Sequence, residues 1–181
     1  MSSESEIEAA ASTNPWMGSD VAAILRAKGW LGPGTRAELD MWLADAAALL
    51  GQHAPDRPAL EELLGLIFHY DAREILACAE SHAVLARNGA REVIREAANR
   101  VLGGPEIDSD RFKEIASELK EKLRYRGREL FYPIRLALAG RAGEGKFDRV
   151  VLLLDRAAKL EFCTPVKGTK QRMLEFCAAL D

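Results

Sequence analysis

Cysteine, histidine and long apolar runs are scarce in this sequence, and each scarcity excludes a class of protein. The three cysteines, Cys78, Cys163 and Cys177, include no C-x-x-C pair of the kind found in zinc ribbons. Three widely spaced cysteines also argue against a disulfide framework, so we predict a reducing, cytoplasmic setting. No apolar run reaches the roughly 20 residues that cross a membrane, and the opening lacks the pattern of a secretory signal.

The sequence also lacks the side-chain combinations on which catalysis commonly depends. Its only histidines are His53, His69 and His82, and none belongs to a recognisable nucleophile, base and carboxylate set. Cys78 and His82 lie four residues apart, but two ligands do not make a metal site. We therefore predict a protein that is not an enzyme and has no metal and no cofactor.

Helical periodicity, by contrast, runs through almost the whole chain. One clear segment begins at a predicted capping box, Thr35 and Glu38, and ends at Gly51, with apolar residues at three- and four-residue spacing between them. No stretch alternates apolar and polar residues as a strand does. These patterns predict an all-α fold, a multi-helix bundle that forms either one unit or two helical subdomains.

The clearest break in this pattern is the sequence Gly103-Gly104-Pro105. It predicts a boundary between an N-terminal helical subdomain, residues 20–104, and a C-terminal helical subdomain, residues 105–181. Residues 1–19 are rich in serine, glutamate and alanine, and we predict a disordered tail there.

One short stretch has most of the letters of a phosphate-binding loop. Gly140, Gly145 and Lys146 have the spacing G-x-x-x-x-G-K, but Phe147 stands where a metal-binding Ser or Thr is needed. Only three residues separate Lys146 from the apolar run VVLLLD, which is too few for a crossover helix between parallel strands. We interpret the stretch as a glycine-rich turn followed by an amphipathic helix, and we exclude a nucleotide cofactor.

Positive charge is concentrated in the second half of an otherwise acidic chain. The net charge is −3, and residues 1–70 contain ten acidic and four basic side chains. Residues 111–149 contain eleven basic and six acidic side chains. This asymmetry predicts an anionic partner for the second half.

A specific resemblance covers the same region. Residues 127–140 read GRELFYPIRLALAG, and the stretch that continues to residue 158 resembles the C-terminal anticodon-binding region of bacterial glutamyl-tRNA synthetases. A looser helical resemblance extends back to about residue 60. Ala139 replaces the threonine of the family pattern, and no His-x-Gly-His motif of the catalytic half is present. The resemblance implies a stand-alone relative without a catalytic domain, which binds tRNA or a tRNA-like hairpin.

The candidate RNA-binding residues are the cations and tyrosines of this region. They are Arg124, Arg126, Arg128, Arg135, Arg141, Lys146, Arg149, Tyr125 and Tyr132. Arginine binds phosphate and stacks on bases, and tyrosine stacks on bases as well. Each also has a structural interpretation: the apolar neighbours of Arg135 suggest that it ties helix ends together, and the other cations suit solvated helix ends and loops.

Two functions therefore remain open from the sequence. The first is a tRNA-binding module, and the second is a helical protein-protein interaction module derived from the same fold. A continuous face of cations would favour the first, and scattered cations the second. No membrane contact is predicted for either.

Overall fold

The computed structural model describes residues 13–181, and the secondary structure of this range consists of helices without strands. The predicted all-α, multi-helix fold is confirmed. The helices are α1 Gly18–Ala27, α2 Ala37–Gly51, α3 Arg57–Phe68, α4 Ala72–Ala77, α5 Ala79–Leu85, α6 Ala90–Gly103, α7 Ser109–Leu123, α8 Arg128–Ala139, α9 Lys146–Ala157 and α10 Thr169–Leu180. None of these helices is both long and apolar enough to span a membrane.

A single hydrophobic core receives side chains from helices on both sides of the Gly103-Gly104 break. Trp42 of α2 is fully buried in it, and its indole N–H donates to the carbonyl of Leu153 in α9 at 3.1 Å. The ring of Phe68 lies edge-on to Trp42, with centroids 6.3 Å apart, and Phe162 lies 5.2 Å from Trp42. These contacts join the first helices to α9.

A buried arginine holds the ends of two helices together. Arg172 of α10 has no exposed surface, and its guanidinium donates to the carbonyls of Ile67 at 2.7 Å, Leu138 at 3.0 Å and Lys167 at 2.9 Å. Ile67 and Leu138 lie in the last turns of α3 and α8, where carbonyls lack intrahelical partners. Burial lowers the pKa of Arg172 to about 10, so the group stays cationic at neutral pH.

Tyr70 completes this buried polar cluster. The guanidinium carbon of Arg172 lies 4.5 Å from the centre of its ring, and its hydroxyl donates to the carbonyl of Ala137, one more acceptor at the end of α8. Burial raises the pKa of the Tyr70 phenol, so its proton is retained for this bond. The cluster therefore satisfies backbone acceptors that would otherwise be buried without a donor.

Helix starts follow the sequence only in part. Asp71 caps α4, because its carboxylate accepts the backbone N–H groups of Arg73 and Glu74, as is common for an aspartate directly before a helix. The predicted capping box at Thr35 is wrong: α2 begins at Ala37, and no side chain caps it. Thr35 directly follows Gly34, whose φ of +100° holds the chain in a turn.

Most of the predicted N-terminal tail, residues 1–12, lies outside the described residues. Residues 13–17 lie against the helices instead of extending freely. Asn14 donates to the carbonyl of Ala47 at 2.8 Å, and the indole N–H of Trp16 donates to the carbonyl of Ala54 at 2.8 Å. The predicted subdomain boundary at residue 104 stays a prediction.

Asp155, near the end of α9, anchors two connections at once. Its carboxylate accepts the backbone N–H of Ile107 at 2.8 Å, in the segment that leads to α7. It also accepts the backbone N–H of Thr169 at 2.7 Å and the hydroxyl of the same residue at 2.9 Å. The start of α10 is therefore fixed to the end of α9.

Replacing Asp155 with alanine is expected to lower the free energy of unfolding by roughly 2 kcal/mol, because the hydrogen bonds to an ionised group are lost together. Urea unfolding followed by circular dichroism measures the change. Glu121→Ala is the control, since Glu121 is exposed on α7 and the variant should stay within about 0.5 kcal/mol of the parent. Equal stability of the two variants would contradict the assigned role.

Candidate nucleic-acid interface

A cleft of about 630 Å³ opens between α7, α8 and α9. Its volume falls within the roughly 300–1,000 Å³ of ordinary ligand pockets. The apolar floor consists of Phe112, Ala116, Leu130, Phe131 and Leu152. The rim carries four cations, Lys113, Lys120, Lys146 and Arg149. An apolar aromatic floor with a cationic rim suits a ligand that combines flat rings with phosphate groups.

The geometry of α7 explains why the cleft is open. Lys113 and Lys120 are seven residues apart, so they lie on one face of the helix two turns from each other. Ala116 and Ser117 lie between them on that face, and both side chains are small. Because nothing bulky separates the two lysines, the floor stays accessible from solvent.

The four rim cations are not neutralised by the protein itself. Within residues 13–181, none of them is in an ion pair with a carboxylate. Two acidic residues, Glu144 and Asp148, also line the cleft. Asp148 is engaged by Arg135, so it does not cancel the rim charge. Glu144 is exposed and has no ion pair among the described residues, but the four rim cations outnumber it, so the cleft favours an anionic ligand.

Arg135 lies beneath the cleft and not on its rim. Its guanidinium makes a bidentate pair with Asp148, at 2.7 and 2.9 Å, and donates to the carbonyl of Gly143. Only 11% of its side chain is exposed, and its guanidinium carbon lies 5.0 Å from the centre of the Phe131 ring. Arg135 therefore ties α8 to the turn before α9 and supports the aromatic floor. A direct RNA contact by Arg135 stays a prediction.

Arg141 points away from the cleft, toward helices of the first half. Its guanidinium pairs with Glu62 of α3 at 3.1 Å and with Glu80 of α5 at 3.3 Å. Both carboxylates are at least 60 residues distant in sequence, so local reasoning about the glycine-rich turn does not reveal them. Arg141 and Lys146 both lie against the ring of Phe147, with the guanidinium carbon 5.8 Å and the ammonium nitrogen 5.4 Å from its centre, but Arg141 does not line the cleft.

Arg124, Arg126 and Arg128 continue the positive charge beyond the end of the cleft. Arg124 and Arg126 lie in the connection from α7 to α8, Arg128 is the first residue of α8, and all three are exposed. Arg124 has a φ of +64°, a left-handed conformation that ends α7. Within the described residues, none of the three is in an ion pair. Together with the four rim cations they form a basic band of seven unpaired side chains.

Neither of the two candidate tyrosines lines the cleft. Tyr125 packs against Gly89, at the start of α6, and the guanidinium carbons of Arg87 and Arg128 each lie 5.9 Å from the centre of the Tyr132 ring. Both rings are half-buried. Tyr132 is adjacent to Phe131 in α8, so the two rings point about 100° apart.

Sequence reasoning missed several residues that form this surface. The aromatic floor is made by Phe112 and Phe131, which the sequence alone indicates to be ordinary core residues of amphipathic helices. From the sequence alone, Lys113 and Lys120 are interpreted as solvated cations of α7. Their seven-residue spacing, with alanine and serine between them, is the signal that identifies the open face.

Comparison with known proteins adds one finding. A family model described as an anticodon binding domain matches residues 8–158. The matched range includes α1 to α9, and therefore the cleft and the whole basic band. No curated protein and no solved structure matches the chain.

Proposed function

This chain belongs to the anticodon-binding domain family, and on that premise we propose that it is a non-catalytic tRNA-binding module similar to the corresponding region of glutamyl-tRNA synthetases. The cleft between α7, α8 and α9 holds the loop of an RNA hairpin, and the basic band holds its phosphates. One observation carries the proposal. The chain has 28 acidic side chains and a net charge of −3, yet the seven cations of the basic band have no carboxylate partner among the described residues.

The chemistry of the cleft supports a single-stranded loop as the ligand. Lysine and arginine bind phosphate oxygens, which provides affinity without sequence information. Unpaired loop bases are free to stack on aromatic rings, and Phe112 and Phe131 present such rings in the floor. A regular RNA duplex keeps its bases stacked inside and would reach only the rim.

The proposal assigns no catalytic residue. Ser109, Ser117 and His53 line the cleft, but within residues 13–181 no hydrogen bond links an imidazole to a hydroxyl. A hydroxyl nucleophile needs such an activating base. The matched family is a binding domain, and the arrangement of the cleft is consistent with binding.

The experiment that tests the function is filter binding of an anticodon-arm hairpin at several salt concentrations. The parent should bind the hairpin more tightly than a duplex of the same stem sequence, and its affinity should fall steeply with salt. Replacing Arg149 with glutamine removes one phosphate contact. The slope of log affinity against log salt should then become shallower by about 0.7–0.9.

Lys170→Gln is the matched control for Arg149→Gln. Lys170 is exposed on α10, has no ion pair within the described residues and does not line the cleft. Its loss removes one positive charge while leaving the basic band intact, so hairpin binding should remain at the parent level. Equal losses in both variants, or equal binding of hairpin and duplex, would refute the proposed site. Absence of any hairpin binding would favour the protein-interaction alternative.

A further inference from the structure

A second cluster of cations shares Arg128 with the basic band and includes a residue from the first half of the chain. Arg87 follows α5, in the turn that leads to α6, whereas Arg128 and Tyr132 lie one helical turn apart at the start of α8. The guanidinium carbons of Arg87 and Arg128 each lie 5.9 Å from the centre of the Tyr132 ring. The fold therefore brings two arginines from distant segments to one aromatic side chain.

The ring of Tyr132 satisfies only part of the bonding capacity of these arginines. A guanidinium that stacks on an aromatic ring still presents its N–H groups at its edge. Neither Arg87 nor Arg128 makes a side-chain hydrogen bond or an ion pair within the described residues, and both are exposed. The two guanidinium carbons are separated by no more than twice their distance from the ring centre.

The turn that carries Arg87 is held in one conformation. Gly89 has a φ of +82°, and a Cβ atom at this position would clash with the ring of Tyr125. The glycine therefore permits Tyr125 to pack directly on the turn. Because Tyr125 belongs to the connection between α7 and α8, this contact fixes Arg87 relative to Arg128.

We propose that Arg87 and Arg128, positioned by Tyr132, form a binding site for one phosphate group shared between the two guanidinium edges. Guanidinium groups bind phosphate oxygens through paired N–H donors, and one phosphate has enough oxygens to accept from two of them. The inference rests on the proposed function: the phosphate belongs to the backbone of the bound RNA. The basic band then continues around α8 onto the turn between α5 and α6.

Hairpin binding by Arg87→Gln, Arg128→Gln and the double variant tests the site. Each single variant should reduce the affinity about five- to eightfold at roughly 0.1 M salt, because one phosphate contact is lost. The double variant should lose less than the product of the two single losses, since both arginines hold the same phosphate. Arg73→Gln is the control: Arg73 is exposed on α4, without an ion pair in the described residues, and its variant should bind like the parent.

A second arm uses inorganic phosphate alone and follows the side-chain N–H signals of Arg87 and Arg128 by NMR. Shifts of both signals support the phosphate site, whether or not the hairpin binds. If both signals shift and the hairpin does not bind, the proposed function fails and the ligand of the site is a free phosphate. If the hairpin binds the parent but Arg87→Gln behaves like Arg73→Gln, the second site is overturned and the proposed function stands. Unshifted signals together with no hairpin binding overturn both.

Discussion

Replacing Arg172 with methionine is expected to lower the free energy of unfolding by about 4 kcal/mol, which is a large share of the 5–15 kcal/mol typical of a folded domain. Methionine fills much of the same volume but donates no hydrogen bond. The carbonyls of Ile67 and Leu138 then remain buried without a donor at the ends of α3 and α8. Each unsatisfied buried acceptor costs about 1–3 kcal/mol.

Urea unfolding of the parent, Arg172→Met and Arg172→Lys measures this effect. Lysine keeps the positive charge, but a single ammonium group cannot donate to all three carbonyls that the guanidinium reaches. A loss of about 3 kcal/mol in the free energy of unfolding is therefore expected. Arg73→Met, on the surface of α4, should change stability by less than about 0.5 kcal/mol. If Arg172→Met unfolds within about 1 kcal/mol of the parent, the buried cluster does not stabilise the fold as described.

Reversing three charges of the basic band is expected to cause the largest loss of RNA affinity. The variant Lys120→Glu, Lys146→Glu, Arg149→Glu removes three phosphate contacts and places carboxylates around the cleft. The affinity for the hairpin should fall at least about 100-fold at roughly 0.1 M salt, with further loss from repulsion. The slope of log affinity against log salt should become shallower by about two to three.

A matched variant separates the effect of charge in the basic band on hairpin affinity from the effect of the net charge of the protein. Arg26→Glu, Arg73→Glu, Lys170→Glu changes the net charge by the same amount, and these three exposed side chains lie outside the basic band and the cleft. Its hairpin affinity should stay within about threefold of the parent at the same salt concentration, because long-range effects between exposed charges are screened. Comparable losses in the two triple variants would mean that only overall charge matters.

The sequence predicts those parts of the structure that depend on neighbouring residues. The helix α9 follows from the spacing of Phe147, Val150, Val151 and Leu154, which also excludes a phosphate-binding loop at this position. The start of α4 follows from Asp71, whose side chain bonds to the next residues of the chain. Thr35 shows the limit of this reasoning, since the turn at Gly34 decides where α2 begins.

Pairings between distant segments account for what the sequence does not predict. Arg141 looks like a free cation of a glycine-rich turn until the fold places Glu62 and Glu80 beside it. Arg87 has no local feature that links it to Tyr132. The resemblance to glutamyl-tRNA synthetases is close only over residues 127–158, whereas the family match begins at residue 8. The early helices contribute mainly core positions, and their apolar spacing is common to many helical bundles.

The most direct test of the central claim is an NMR titration of the isotope-labelled protein with the anticodon-arm hairpin. If the basic band and the cleft bind RNA, backbone amide shifts will concentrate in residues 113–128 and 144–152. Amides of α1 and α3 will remain near their starting positions, apart from those that contact α9. Shifts that concentrate on α1 to α4 while residues 113–128 and 144–152 stay unchanged would contradict the account.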